Sequence, residues 1–237
     1  MKIITWNCNM AFRKKASSIL KYMPDILIIP ECENPEKLHS DPEFKRPNSA
    51  VWYGQNKHKG LGVFAYGNLK LRLLPSHNTL HQIILPISVR GIDKDFLLFA
   101  IWANNPKDSK YQYIGQVWKA LLEYTPLMKN KSVILVGDFN SNTIWDKPRR
   151  IYNHSLVVDM LDSMNIKSAY HLYYKQTQGK EKHPTLYLYR HEEKAYHIDY
   201  CFASPDFTKR LKKVIVGDFK TWSALSDHTP LIVEFED

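Results

Sequence analysis

Apolar residues fall along this chain in short runs rich in β-branched and aromatic side chains, broken by Gly, Asn and Pro. Such runs read as buried or half-buried strands. They predict strands at residues 3–6, 26–29, 50–53, 61–66, 69–74, 82–89, 96–102 and 133–136, then at 185–189, 198–202, 214–219 and 231–235. Helical spacing is confined to fewer stretches. Ala16, Ile19, Leu20 and Met23 share one face of residues 13–23, and Ile114, Val117, Trp118, Leu121 and Leu122 form a stripe over 111–124. A third stripe comprises Leu156, Val157, Met160, Leu161 and Met164, and Ser204-Pro205 reads as the cap of a short helix. The strand-rich pattern with few helices predicts two sheets packed face to face and covered outside by helices. No linker, repeat or low-complexity segment divides the chain, so residues 1–237 are expected to form one domain.

Polar residues recur where these strands end. Val133-Ile134-Leu135-Val136 is followed by Gly137, then by Asp138 and Asn140. On an extended backbone side chains two apart point the same way, so both would face one spot. Asp and Asn also start turns readily, and the motif alone supports either reading. Asn7 follows the first strand, Glu31 the second, and Asp227-His228 precedes the last. Asp199 interrupts an apolar run, where an unpaired charge is costly, so it calls for a cation or a histidine beside it. Carboxylates and amides without cysteines suit a hard ion, Mg²⁺ or Mn²⁺.

Composition narrows the classes. With 44% hydrophobic residues, the 237-residue chain can bury a sizeable core, and a net charge of +9 favours a polyanionic partner. After the Asp138 motif, Trp145, Lys147, Arg149 and Arg150 combine a stacking surface with cations suited to a nucleic-acid backbone. An ordinary solvated charge cluster would look the same. Cys8, Cys32 and Cys201 are too few and too irregularly spaced for a disulfide scaffold or zinc site. No stretch has signal-peptide or membrane-spanning character, so a cytoplasmic enzyme without a membrane partner is the expectation.

Thr5-Trp6-Asn7, Pro24-Asp25-Ile26 through Glu31, Gly137-Asp138-Phe139-Asn140, Ile198-Asp199-Tyr200 and Ser226-Asp227-His228-Thr229-Pro230 together resemble the ordered signature of the endonuclease/exonuclease/phosphatase superfamily. The resemblance implies an α/β four-layer sandwich of two mostly antiparallel mixed sheets with flanking helices and an active site at the strand ends. It implies Glu31 as principal metal ligand with Asn7 close by, and Asp227 as a supporting group or alternative ligand. Asp138 would align or deprotonate the attacking water, Asn140 would hold a phosphate oxygen, and His228, oriented by Asp199, would stabilise the phosphate's charge. Where many relatives carry His or Tyr before the long helix, this chain has Trp102, with Asn104 and Asn105 as possible phosphate contacts. The expected activity is that of a monomeric, divalent-metal-dependent nuclease, on DNA before RNA. A phosphatase or phosphodiesterase of small phosphorylated molecules, such as an inositol phosphate or a tyrosyl-DNA-type adduct, is the alternative.

Overall fold

A computed structural model describes residues 1–38, 44–81, 83–91, 95–104 and 111–236. The first part of the chain contributes β1 (Lys2–Thr5), β2 (Ile26–Cys32), β3 (Ser49–Asn56), β4 (Lys59–Ala65), β5 (Lys70–Leu73), β6 (Ile84–Arg90) and β7 (Phe96–Trp102). The remainder supplies β8 (Val133–Asp138), β9 (Lys167–Ser168), β10 (Leu186–Tyr187), β11 (Ala195–Tyr196), β12 (Asp199–Ala203), β13 (Leu211–Val216) and β14 (Leu231–Phe235). The helices are α1 (Ala16–Leu20), α2 (Pro35–Leu38), α3 (Ile114–Met128), α4 (His154–Ser163), α5 (Ala169–Tyr174), α6 (Pro205–Thr208) and α7 (Phe219–Trp222).

Two six-stranded sheets result, ordered β13-β14-β1-β2-β4-β3 and β5-β6-β7-β8-β12-β9, with β10-β11 as a separate ribbon. Each large sheet is antiparallel except for one parallel pair, β1–β2 in the first and β7–β8 in the second. In each, an antiparallel strand flanks that pair, β14 beside β1 and β12 beside β8. The C-terminal ends of β1, β2, β7 and β8 therefore lie at the same edges as the starts of β12 and β14. The site is built there.

Period-two alternation sorts the side chains into layers. Ile134 and Val136 face the core between the sheets with Ile28, Val63, Leu85 and Leu98, while Val133 and Leu135 face outward under α3 and α4. On the other outer face Trp6, Phe12, Ile19 and Trp222 pack together, joining α1 and α7 to the first sheet. Each fully buried aliphatic side chain contributes roughly 1.5–3 kcal/mol relative to exposure. The expected α/β sandwich of two mostly antiparallel mixed sheets flanked by helices is the observed one. Among the described residues no helix is long and apolar enough to cross a membrane.

Several elements differ from expectation. The helix over 13–23 shrinks to a 3-10 turn at Phe12–Lys14 and the short α1, because Lys15 leaves helical geometry (φ −129°) between them. Its ammonium is instead drawn to the Cys8 carbonyl (2.6 Å). The helix over 111–124 starts at Ile114, since Tyr113 sits at φ 49°, and it continues past Pro126 to Met128. The strand over 185–189 is cut to two residues, as Tyr189 and Arg190 turn left-handed (φ 57° and 60°). The strand over 214–219 runs earlier and ends at Val216; Asp218 then caps α7 through the Thr221 N–H (2.9 Å).

Candidate active site

Gly137 lies inside β8, opposite Ile101 and Tyr200, with φ 142°. A Cβ there would sit 1.9 Å from the Ile101 carbonyl oxygen, so only glycine lets β7 and β8 approach at this point. The next residue, Asp138, pairs in register with Trp102 on one side and Asp199 on the other. Two carboxylates thus come face to face on neighbouring strands, both fully buried. Asn140 reaches Asp138 by a route other than the expected extended backbone. The strand ends at Asp138, Phe139 turns into the helix-side core, and Asn140 curls back at φ 47°. Its N–H donates to Asp138 Oδ1 (2.9 Å), and its Nδ2 donates to Asp138 Oδ2 (3.0 Å) and the Ala103 carbonyl (2.8 Å). The turn reading of this motif holds, and the turn itself brings Asn140 onto Asp138.

From the first sheet, Asn7 crosses the gap: its Nδ2 donates to Asp138 Oδ2 (3.0 Å) and its Oδ1 accepts the Asn9 N–H (3.1 Å). His228 Nδ1 donates to Asp199 Oδ2 at 2.9 Å, so histidine is the partner that the buried carboxylate required. Ligand-type atoms of Asp138, Asp199 and His228 all lie within 4.8 Å of one another. Two hydroxyls support this arrangement. Thr185 Oγ1 accepts both the Ile198 and Asp199 N–H groups (3.0 Å each), and its carbonyl accepts the Thr229 N–H (2.8 Å). Ser226 Oγ donates to the Asn7 carbonyl (2.7 Å) and accepts the His228 N–H (3.0 Å). Trp6 Nε1 completes the brace by donating to the His228 carbonyl (3.0 Å). A lone Thr or Ser carries no periodic signal, and only the fold shows these roles.

Burial and the Asp199 charge push the Asp138 carboxyl up to about 7, although His228, Asn7 and Asn140 pull the other way. Burial alone would lower His228, but the Asp199 and Asp138 carboxylates outweigh it and raise the ring to about 10. At neutral pH this buried imidazole is therefore cationic, beside a carboxyl able to exchange a proton.

The remaining expected residues are less concentrated. Glu31 occupies a bulge in β2 between Pro30 and Cys32, with φ 61°. Its Oε2 lies 3.1 Å from Lys59 Nζ, outside the Asp138–Asp199–His228 group. Asp227 is half-buried, and its Oδ1 accepts from Asn9 Nδ2 (3.0 Å). Hard oxygen donors thus line the mouth, and Asp199 Oδ1 is buried with no hydrogen-bond partner among the described residues. That donor set fits a Mg²⁺- or Mn²⁺-type ion.

The loop after β8 is tightly braced. Asp146 accepts the His154 and Ser155 N–H groups (2.8 and 3.0 Å), and Asn153 exchanges two hydrogen bonds with the Lys147 backbone (3.1 and 2.8 Å). Lys147, Arg149 and Arg150 are exposed upon it. Trp145 is 42% exposed, 5.0 Å from the Tyr196 ring, and Arg150 lies over Tyr152. Trp145, Lys147, Arg150 and Tyr152 line a cavity of about 480 Å³ that reaches Asn140. Trp102 is core, 9% exposed, whereas Asn104 lines a smaller cavity of about 140 Å³ beside it. Asn105 lies outside the described residues.

The model of the Endonuclease/Exonuclease/phosphatase family matches residues 4–228, the span that carries these strand-end residues. The chain belongs to that family. Solved structures of similar fold include a 3′ phosphatase, NExo, from Neisseria bound to a product DNA hairpin. It has 20% identity and a TM-score of 0.73, over 100% of this chain and 99% of that one. An AP endonuclease from Archaeoglobus fulgidus is 16% identical over all of both chains, with a TM-score of 0.69. The endonuclease domain of the telomere-specific retrotransposon TRAS1 is 15% identical over 99% of this chain and 97% of its own, at 0.67. At these identities the likeness shows the fold. No curated protein matches the sequence.

Proposed function

We propose that the protein is a divalent-metal-dependent phosphodiesterase that hydrolyses nucleic acid, DNA in preference to RNA. The observation that carries the reading is the buried Asp138–Asp199–His228 group, with Asn7 and Asn140 both hydrogen-bonded to Asp138. In-line hydrolysis of a phosphodiester needs a base for water, a donor for the charge on phosphate, and fixed positions for both. Asp138 receives the water proton, Asn7 and Asn140 hold its carboxylate in place, and Asn140 adds a contact to a phosphate oxygen. Cationic His228, steered by Asp199, donates to the phosphoryl oxygens as negative charge builds. Glu31, with Asn7 and Asp227, would hold a Mg²⁺ or Mn²⁺ ion, which withdraws charge from the phosphate when bound.

The polyanion preference is supported by the net charge of +9 and by Lys147, Arg149 and Arg150 on the braced loop beside the site. Proteins of similar fold include an AP endonuclease and a 3′ phosphatase bound to a product DNA hairpin. Three buried free thiols suit a reducing compartment such as the cytoplasm. The test is incubation with end-labelled single-stranded, duplex and abasic DNA and RNA, in Mg²⁺ or in EDTA. Metal-dependent cleavage of DNA is expected; turnover of inositol phosphates but of no polynucleotide would overturn the reading.

A further inference from the structure

Lys59 is the cation that the structure places on Glu31. It opens β4, and the β2 bulge at Glu31 lies opposite Gly60 and Leu61, so strand register brings the two side chains together. Lys59 Nζ is 3.1 Å from Glu31 Oε2 and 5.3 Å from the centre of the Trp102 ring. Trp102 is the register partner of Asp138, so the ammonium stands between the carboxylate of one sheet and the reacting end of the other. Beside it is the cavity of about 140 Å³ lined by Lys59, Trp102 and Asn104. Among the described residues that end β7, Trp102, Ala103 and Asn104, none is a cation.

We propose that Lys59 is an exchangeable cation: it neutralises Glu31 in the metal-free protein, then turns along the Trp102 face to bind the substrate phosphate once Glu31 takes a divalent ion. The inference rests on the metal-dependent reading above. Its energetic basis is that the pair is weak. With the side chains 37% and 19% exposed, a lysine–carboxylate contact changes affinity by at most about fivefold. A divalent ion attracts the same carboxylate with about twice the charge and then repels the ammonium. Trp102 offers the displaced ammonium an aromatic face, and the adjoining cavity gives it room. No covalent step is involved; one carboxylate exchanges partners, and one anion gains a donor.

The experiment is calorimetric titration of wild type, Lys59→Met and Lys59→Arg with Mn²⁺ alone, together with kcat and KM on the cleavable DNA substrate. With the competitor removed, Lys59→Met is expected to bind Mn²⁺ up to about fivefold more tightly while kcat falls about 10- to 100-fold. Lys59→Arg keeps the charge and stays near wild type for Mn²⁺. A structural role alone would weaken metal binding along with turnover, so the opposite signs are diagnostic. Unchanged or weaker Mn²⁺ binding in Lys59→Met, or an unchanged kcat, overturns the exchange and leaves metal dependence standing. Absence of Mn²⁺ binding in all three proteins overturns both.

Discussion

The floor of the site and its rim handle charge in opposite ways. On the floor, Asp138, Asp199 and His228 are at most 5% exposed and hold one another through backbone-fixed geometry. On the rim, Lys147, Arg149 and Arg150 stand in water on a loop whose backbone, rather than whose cations, is hydrogen-bonded. In a low-dielectric floor each charge depends on its partner and salt barely reaches it. Rim charges are screened within about 8 Å at physiological ionic strength and act additively on an approaching polyanion. Removing a floor residue should therefore break a unit; removing a rim residue should only tilt an equilibrium.

The sharpest contrast is expected from Asp199→Asn and His228→Ala. Each should lower kcat by about 1000-fold, and the double variant should lose little more, because the carboxylate acts through the ring it steers. A double-mutant cycle on one cleavable substrate measures this. Losses that add in free energy would mean that the floor is as modular as the rim.

Glu31→Gln probes the boundary between the two regions, because Glu31 is part-exposed and paired to Lys59. About 100-fold loss of Mg²⁺-dependent turnover is expected, with the fold unaltered by thermal unfolding. Full turnover of the wild type in excess EDTA would remove the metal from the account.

Stability against pH separates the regions by sign. His154 and His197, buried beneath the rim, are pushed down to about 4 chiefly by burial. Near pH 5 their unfolded forms, titrating at 6.5, bind about two protons that the folded forms do not, while folded Asp138 binds about one that its unfolded form lacks. The unfolded state thus holds about one proton more, and stability falls on acidification. From 6.5 towards 10 the folded state keeps the His228 proton that the unfolded state has lost, so stability falls as pH rises. The Tm of the metal-free protein should peak near neutrality. His228→Gln should remove most of the alkaline limb while the His154 and His197 share of the acid limb persists, and a variant that abolished both limbs would refute this division.

The floor was more legible in sequence than the rim for a physical reason. A charge inside an apolar run, as at Asp199, must find a partner, and the chain offers few candidates that end beside it; His228 is the one found. Register then fixes its depth. Asp138 and Asn140 were associated correctly, although the expected extended backbone is a left-handed turn instead. The Lys59 partner of Glu31 has no signal in the sequence, since lysines in hairpins are common and only the bulge register aligns this one. Thr185 and Ser226 each act through more than one hydroxyl contact, and those that join distant segments, Thr185 to Asp199 and Ser226 to Asn7, are encoded by no local pattern. Helix ends erred where single residues, Lys15 and Tyr113, left helical geometry.

The smallest effect belongs to the rim. Among the described residues Arg149 and Arg150 have no ion-pair partner on the floor, and their loop is held by Asp146 and Asn153 instead. Reversing both to Glu should leave the fold and kcat nearly intact. Contacts remote from the reacting phosphate act mainly through binding shared by ground and transition states, so KM on long DNA should rise several-fold. Each phosphate contact that is lost releases one fewer counterion, so the slope of log KM against log salt should become shallower by up to about two. A short phosphodiester that does not reach the loop should show neither change. If both substrates lose turnover equally, Arg149 and Arg150 belong with the floor, and the distinction between a partnered interior and an additive surface fails at this loop.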